Sequence, residues 1–366
     1  MTNFFNRFKY LDIPLLLAML LLILAGAAIL YATALPSDSK ILFYRQMAFL
    51  GVGLVGFLFL SFFDFHRLAK LNRIIYVFCV GVLVYLLVFG TLVKGGKRWL
   101  NIAFLGFQPA ELAKLAVILG LARLLYLKRG EINSFGTFLW SFFYAVIPAV
   151  LVAVEPDLGS ALVILSLWVG IIFLSRIKKK YLAILFLALA IICGGAWKFY
   201  LKPFQKDRIM IFLNPSLDPK GRGYNVRQAS IAVGGGELFG RGLGKGIQSQ
   251  QKFLPERQTD FIFSAAGEEI GFAGLFTLLG LYFFLLYRLM KILKNAKDDL
   301  GMYIAAGVMF FFFFHVLINV GMNIGLLPVT GIPLPFVSAG GSSLVISLLC
   351  LGVAQNVSLQ SKALRF

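Results

Sequence analysis

The stretch IPLLLAMLLLILAGAAILYATA, residues 13–34, contains no charged residue and decides the fold class of this chain. A helix of about 20 apolar residues is long enough to cross the hydrocarbon core of a membrane. This run is too long for a cleavable signal peptide and lacks a small-residue exit, so we interpret it as a retained anchor. Nine similar runs follow, at 41–63, 74–93, 109–126, 139–154, 158–175, 181–200, 261–288, 301–323 and 342–358. We predict an all-α polytopic membrane protein with about ten transmembrane helices, forming a single domain over residues 1–366.

The composition excludes several classes of protein. Of the 366 residues, 60% are hydrophobic and 14% are charged, whereas a soluble domain is about 45–50% apolar and about 25% charged. A soluble enzyme, a disordered chain and a disulfide scaffold are therefore excluded. Cys79, Cys193 and Cys350 lie in apolar runs, which predicts buried free thiols. Two histidines are too few for a histidine-based metal centre.

The positive charge of the chain predicts its orientation. Lys and Arg number 35 against 16 Asp and Glu, and we attribute the excess to the membrane surface and not to a nucleic-acid partner, because cytoplasmic loops collect Lys and Arg. Alternate connections are basic. The six basic segments include Arg7, Arg67, Lys128, Lys179, Lys291 and Arg365. With ten spans all six fall on one side, so we predict that both termini are cytoplasmic.

One long extracytoplasmic loop, residues 201–260, is predicted between helices 7 and 8. Residues 198–260 contain eleven Lys and Arg but only five Asp and Glu. A basic excess on the outer face opposes the usual bias, from which long loops are exempt. The excess therefore needs another cause, and an anionic ligand is the simplest one.

The motif QPAELAK, residues 108–114, places two opposite charges at membrane depth. Glu111 and Lys114 are three residues apart, so they share a helix face and can pair. A structural ion pair and a functional pair are equally good interpretations. Just upstream stand Lys94, Lys97 and Arg98. Arg98 could hold a phosphate through two parallel hydrogen bonds, whereas the two lysines fit interfacial anchors.

Two further motifs place carboxylates where apolar runs begin. In EPDLGS, residues 155–160, Asp157 either caps the next helix or faces a polar cavity. In FLPERQTD, residues 253–260, Asp260 either caps the following helix or stands at the membrane–water boundary, able to accept a proton from a substrate hydroxyl. If the helix includes Asp260, then Ser264 and Glu268 lie on the same face.

His315, Asn319 and Asn323 are spaced four apart and form a polar stripe, for which hydrogen bonding between helices is the favoured interpretation. The sequence GLLPVTGIPLPFVSAGG, residues 325–341, follows them. Its three prolines exclude a regular helix. Irregular backbone at membrane depth must be buried in protein or line a cavity.

These motifs resemble the SEDS family of bacterial cell-wall proteins, and most closely its RodA branch. The resemblance rests on residues 214–271, on KRW at 97–99 with FQPAELAK, on EPDLGSA, and on the C-terminal signature. The signature residues are Asn319, Gly325, Pro328, Gly331, Ser338, Gly340 and Gly341. The resemblance implies a peptidoglycan glycosyltransferase in the bacterial cytoplasmic (inner) membrane, which polymerises lipid II into glycan strands during cell elongation. It also implies work within the elongation machinery beside a class B penicillin-binding protein, a transpeptidase.

The resemblance assigns roles to individual residues. The essential aspartate of the family falls on Asp260, and the supporting polar residues are Arg98, Glu111, Lys114, Asp157 and Gln228. We expect Asp260 to be the general base on the acceptor hydroxyl, with inversion at the donor sugar. Arg98, Lys114 or a divalent cation (Mg²⁺ or Mn²⁺) would stabilise the departing diphosphate. No organic cofactor is expected, because the glycine-rich stretches match neither a dinucleotide site nor a P-loop.

Two other functions are weighed against the enzyme. A lipid II flippase would suit the buried charges and the broken helix junction, but no internal inverted repeat is visible. An inactive scaffold for the transpeptidase would have no need for Glu111, Lys114, Asp157 and Asp260 at membrane depth.

Overall fold

Twelve α-helices make up most of the described part of the chain. The computed structural model describes residues 10–34, 40–90, 98–102, 105–199, 210, 218, 221–251 and 253–363. The helices are Ile13–Ala34 (α1), Lys40–Phe62 (α2), Phe65–Phe89 (α3), Pro109–Leu127 (α4), Phe135–Val154 (α5), Leu158–Leu174 (α6), Lys179–Phe199 (α7), Arg222–Gly235 (α8), Ile247–Gln250 (α9), Ile262–Lys294 (α10), Asp299–Asn323 (α11) and Gly341–Ala363 (α12). Ten of them overlap the ten predicted apolar runs, and the all-α membrane fold is confirmed.

Seven helices within the described ranges are long and apolar enough to cross a membrane: α1, α2, α3, α5, α10, α11 and α12. The apolar helix α6 has only 17 residues, and α4 contains Glu111, Lys114 and Arg123. The chain is thus a multi-pass membrane protein. The number of ten spans, the single domain and the limits of the long loop stay predictions.

A short β-hairpin precedes α4 and was not expected. Strand Leu100–Ile102 (β1) pairs antiparallel with Leu105–Phe107 (β2), so that Leu100 faces Phe107. Strands of three residues are too short to produce a hydrophobic period that can be distinguished from a loop. The hairpin matters for the site because Arg98 and Gln108 stand at its two ends.

Helices α4 and α11 lie at the centre of the bundle, and glycines allow close approach between the central helices. A Cβ built on Gly307 of α11 would lie 2.5 Å from Ile118 of α4, and one on Gly170 of α6 would lie 2.5 Å from Phe310. Membrane helices associate through this kind of close packing, because lipid tails are as apolar as the side chains and supply no hydrophobic driving force.

Helix α10 is broken at Gly271, which has φ +69° inside an otherwise helical segment. Residues 237–242, named here the clamp loop, fill the break with four backbone hydrogen bonds of 2.8–3.0 Å. The bonds run from Arg241 N to Glu268 O, Gly242 N to Glu269 O, Phe272 N to Glu237 O and Ala273 N to Leu238 O. They satisfy backbone groups that the broken helix leaves without partners, as buried polar backbone requires.

Candidate functional site

Residues 324–340, named here the proline loop, join α11 to α12 without a helix or strand. Leu334, Phe336 and Val337 are buried, so the second half of the loop is enclosed by protein, as predicted. In the first half, Ile324 and Leu326 are exposed. The loop packs on the turn that precedes α10: Ser338 Oγ donates to Thr259 O (2.6 Å), and Ala339 N donates to Gln258 O (2.7 Å). The proline loop therefore positions the residues next to Asp260.

Asp260 is half-buried and lies two residues before α10. The helix cap is Phe261, so the interpretation of Asp260 as a helix cap is wrong. Residues 256–261 form a tight turn, in which Phe261 N donates to Glu256 O (3.2 Å). Because the helix begins after Asp260, the condition for a shared helix face with Ser264 and Glu268 is not met.

The polar stripe of α11 holds the Asp260 backbone. Asn319 Nδ2 and Asn323 Nδ2 donate to the Asp260 carbonyl over 3.1 and 3.0 Å. Asn319 Nδ2 also lies 2.8 Å from Ile332 O, and Asn323 Oδ1 accepts from Ser264 N at 3.0 Å. The favoured interpretation, hydrogen bonding between helices, is confirmed for Asn323, whose partner Ser264 lies in α10. Asn319 bonds instead to a turn and to the proline loop. The structure adds that these bonds converge on one residue, Asp260.

The carboxylate of Asp260 lies against the proline loop at Gly331. A Cβ built on Gly331 would be 3.3 Å from Asp260 Oδ2, and the Gly331 backbone has φ +76°. Both the space and the backbone angle favour glycine at this position. The preceding residue of the proline loop packs on α6, because a Cβ built on Gly159 would be 2.7 Å from Thr330 O.

The turn before α6 holds Asp157, two residues before Gly159, the α6 residue that packs on Thr330. Asp157 caps α6, since its Oδ1 accepts from Ser160 N (3.1 Å), and its Oδ2 accepts from Gln108 Nε2 (2.7 Å). Gln108 N in turn donates to Ser342 Oγ (3.0 Å). The interpretation of Asp157 as a helix cap is confirmed, and the bond to Gln108 joins it to a polar network. That it faces a polar cavity stays a prediction.

Arg98 covers this turn. Its Nε donates to Glu155 O over 3.0 Å, and a terminal nitrogen donates to Pro156 O. A guanidinium has five N–H groups, so donors remain for an anion. Lys94 and Lys97, which were expected beside it, lie outside the described residues. We name Arg98, Gln108, Asp157 and Asp260 the polar rim.

Glu155 lies beneath the polar rim and is 1% exposed. Burial raises the pKa of its carboxyl to about 8, with a smaller contribution from the charge of Asp157, while Arg98 opposes the rise. The side chain is therefore mostly protonated at neutral pH. It was not predicted as a site residue, and its sequence position beside Asp157 was the only signal.

Glu111 and Lys114 form the predicted ion pair. Lys114 Nζ lies 2.7 Å from Glu111 Oε1, and the side chains are 0% and 1% exposed. Lys114 Nζ also lies 3.2 Å from His315 Nε2. An ammonium has only donors, so Nε2 accepts, and Nδ1 carries the ring proton and donates to Pro333 O (3.2 Å). The pair thus reaches the proline loop through His315.

Gln228 is half-buried on α8. That helix packs Ala229 and Ala232 against Phe261 and Ala265, the residues that follow Asp260. Gln228 therefore lies on the element beside Asp260. Glu268, by contrast, has a structural role: its carboxylate accepts from Gln248 N (2.8 Å) and Ser249 N (3.1 Å) at the start of α9.

Almost the whole chain matches a known family. Residues 9–363 match the family model described as cell cycle protein, which covers FtsW, RodA and SpoVE. The chain belongs to this family. It is the SEDS family that the motifs indicated, so the resemblance is confirmed.

Individual SEDS relatives are similar over nearly their whole length. The chain is 34% identical over 355 residues to the peptidoglycan glycosyltransferase MrdB of Escherichia coli K12, covering 96% of this chain and 94% of that protein. A chain of a peptidoglycan synthase complex that coordinates polymerisation and crosslinking is 30% identical, with a TM-score of 0.84. Thermus thermophilus RodA is 28% identical, with a TM-score of 0.72. Each structural match covers 96% of this chain and 98% of the other.

Proposed function

We propose that this protein is a peptidoglycan glycosyltransferase that polymerises lipid II, with Asp260 as the general base. The observation that supports this role is the position of Asp260: its carbonyl is held by two amides of α11, and its carboxylate is placed against Gly331. A base whose backbone is fixed in this way needs little reorganisation when the substrate hydroxyl arrives.

The reaction is a displacement at an anomeric carbon. Asp260 accepts the proton of the acceptor GlcNAc 4-hydroxyl, whose oxygen attacks C1 of the donor MurNAc. The bond from C1 to the lipid diphosphate breaks, and the diphosphate leaves with the electron pair. An α-linked donor thereby gives a β-1,4 bond with inversion. General-base catalysis of this kind contributes about 10²–10⁴-fold.

The polar rim supports the charged leaving group. Arg98 supplies the remaining guanidinium donors, and a bidentate contact with a phosphate suits its planar geometry. Lys114 is enclosed between Glu111 and His315, so we assign it a positioning role through Pro333. No group of three His, Cys, Asp or Glu within the described ranges could hold a metal. Mg²⁺ is commonly held by one or two carboxylates together with substrate phosphates. Asp260 fits that arrangement, whereas both carboxylate oxygens of the buried Asp157 already accept hydrogen bonds.

The partner and the location follow from the same assignment. The structural relative of TM-score 0.84 comes from a complex that couples polymerisation to crosslinking, which supports a class B penicillin-binding protein as the partner here, within the elongation machinery. The basic connections support the bacterial inner membrane with both termini in the cytoplasm. The polar rim then faces outward, where the glycan strand is built.

The test is polymerisation of labelled lipid II by the purified protein, with and without its cognate transpeptidase. We expect Asp260→Asn to lower the rate by about 10²-fold or more. The matched control is Glu256→Gln, an exposed acid in the same turn, which should polymerise normally. A near-normal rate for Asp260→Asn would refute the base. Translocation of labelled lipid II in vesicles without any polymer would favour a flippase instead.

A further inference from the structure

A cavity of about 150 Å³ has no lining residue in common with the polar rim. It is bounded by the start of α1 and by the last turns of α10 and α12. The lining residues are Asp12, Arg288, Lys291, Ile292, Asn295, Ser358, Ser361 and Lys362. Three of the eight are cations and one is an acid. The proposed glycosyl transfer uses none of them.

The single acid of the cavity is already neutralised. Arg288 Nη2 lies 2.6 and 2.8 Å from the two carboxylate oxygens of Asp12, and Nε adds a third contact of 3.1 Å. Asp12 Oδ1 also accepts from Leu15 N, in the first turn of α1. Lys291 and Lys362 therefore remain as an uncompensated double positive charge on the cavity wall.

Neither lysine forms an ion pair with a carboxylate of the described residues. Lys362 Nζ donates to the Tyr10 carbonyl at 3.3 Å, which holds its ammonium over the start of α1, and Lys291 is exposed. Each ammonium carries three donors. Asn295 keeps one amide N–H beyond its bond to Lys291 O, whereas the Ser361 hydroxyl donates to Ser358 O. The two ammonium groups and this amide are donors suited to a phosphate group.

The surroundings of the cavity are those of a lipid. Ile13 and Tyr287, the sequence neighbours of Asp12 and Arg288, are each 60% exposed. Both stand at the ends of apolar helices, where acyl chains would meet the protein. Basic pockets between transmembrane helices are known to bind acidic headgroups. We propose that this cavity binds the phosphate of an anionic phospholipid.

The charge of the wall predicts selectivity. Phosphatidylglycerol presents a phosphate with no compensating cation. Phosphatidylcholine carries a quaternary ammonium close to its phosphate, and Lys291 and Lys362 repel that group. Ordinary interfacial lysines interact with the carbonyl end of a helix and with membrane charge in general. If these two lysines acted only in that way, lipid binding would not depend on which lysines are replaced.

The experiment is native mass spectrometry of the full-length protein titrated with phosphatidylglycerol or phosphatidylcholine of identical acyl chains. We expect the wild type to bind phosphatidylglycerol at a lipid concentration about tenfold lower than phosphatidylcholine requires, because two charged hydrogen bonds are involved. Lys291→Gln with Lys362→Gln should abolish the preference. Lys294→Gln with Lys297→Gln makes the same charge change on exposed residues outside the cavity and should keep it.

Other outcomes contradict the proposal. The cavity variant is Lys291→Gln with Lys362→Gln. If it binds phosphatidylglycerol as the wild type does, or if both double variants lose the same amount of binding, the lipid preference arises from general surface charge and not from the cavity. Displacement of phosphatidylglycerol by inorganic phosphate at equal concentration would show that free phosphate is the ligand and that the lipid is not. If the double variant fails to fold, Lys291→Gln alone, at an exposed position, should still weaken the preference.

Discussion

Gly331 and the carboxylate of Asp260 lie side by side although the two residues are 71 positions apart in the sequence. The carboxylate of Asp260 occupies the side of Gly331 where any other residue would carry its Cβ, at 3.3 Å from Oδ2. The contact joins the turn before α10 to the proline loop. Helix α11 fixes both partners, because Asn319 donates to the carbonyls of Asp260 and Ile332. The position of the proposed base is thus set by three separate elements.

Gly331→Ala should lower lipid II polymerisation by about tenfold or more. Alanine at φ +76° costs about 1–2 kcal/mol, and its methyl group displaces the carboxylate. The control is Gly340→Ala in the same loop, where a new Cβ meets nothing closer than 3.6 Å. Initial rates at equal amounts of folded protein provide the measurement. Equal rates for the two variants would show that this contact does not position Asp260.

Lys114→Met should destabilise the protein by about 3–5 kcal/mol, because it leaves Glu111 as an unpaired buried charge. Glu111→Met combined with Lys114→Met should recover most of that loss. Thermal unfolding in detergent measures both effects.

The exposed pair Lys128 and Glu131 offers a matched control, with the same spacing and a 2.9 Å contact. Lys128→Met should cost less than about 1 kcal/mol, because water screens exposed pairs. If Lys114→Met were equally mild, the buried pair would not be needed for folding. A folded double variant that fails to polymerise lipid II would assign the pair a role in positioning the proline loop.

Glu155→Gln should change the pH dependence of stability. The folded carboxyl has a pKa of about 8, against an ordinary value of 4.5. Between these values the folded state binds more protons than the unfolded state, so the stability of the wild type falls as pH rises from about 4.5 to about 8. Above that window the wild type carries a buried charge, which glutamine lacks.

The variant should therefore match the wild type near pH 4 and exceed it by about 4–5 kcal/mol near pH 9. Melting temperatures at both ends of this range provide the measurement. Glu131→Gln, at an exposed position, should show no such pH-dependent difference from the wild type. A constant difference between Glu155→Gln and the wild type across the range would contradict the raised pKa.

Gly271→Ala should release the clamp loop. A Cβ at Gly271 would lie 2.2 Å from Gly240 N, and its φ of +69° disfavours alanine. We expect faster proteolysis within residues 237–242, measured by limited digestion and mass spectrometry. Gly280→Ala lies in the same helix with nothing within 4 Å of the new Cβ, so it should be neutral or slightly stabilising. Equal digestion of the two variants would show that the break at Gly271 does not hold the clamp loop in place.

Much of the candidate site was visible in the sequence because its chemistry is unusual for a membrane. Glu111, Lys114, Asp157 and Asp260 stand out as charges in or beside apolar runs, where each is costly. The spacing of three between Glu111 and Lys114 also predicts their contact. Gly331 and Ser338 stand out less as parts of the site, since both residue types are common in loops and their partners are distant in sequence.

The sequence by itself determined the membrane class, the helix positions and the residues with chemical capacity, because these depend on local composition and on the length of apolar runs. The tertiary structure decided which of these residues meet. The turn at 256–261 takes Asp260 off α10, Asn319 and Asn323 converge on its carbonyl, and His315 links the buried pair to the proline loop. Such contacts depend on how helices pack and cross, and hydrophobic periodicity along one chain contains no information about that geometry.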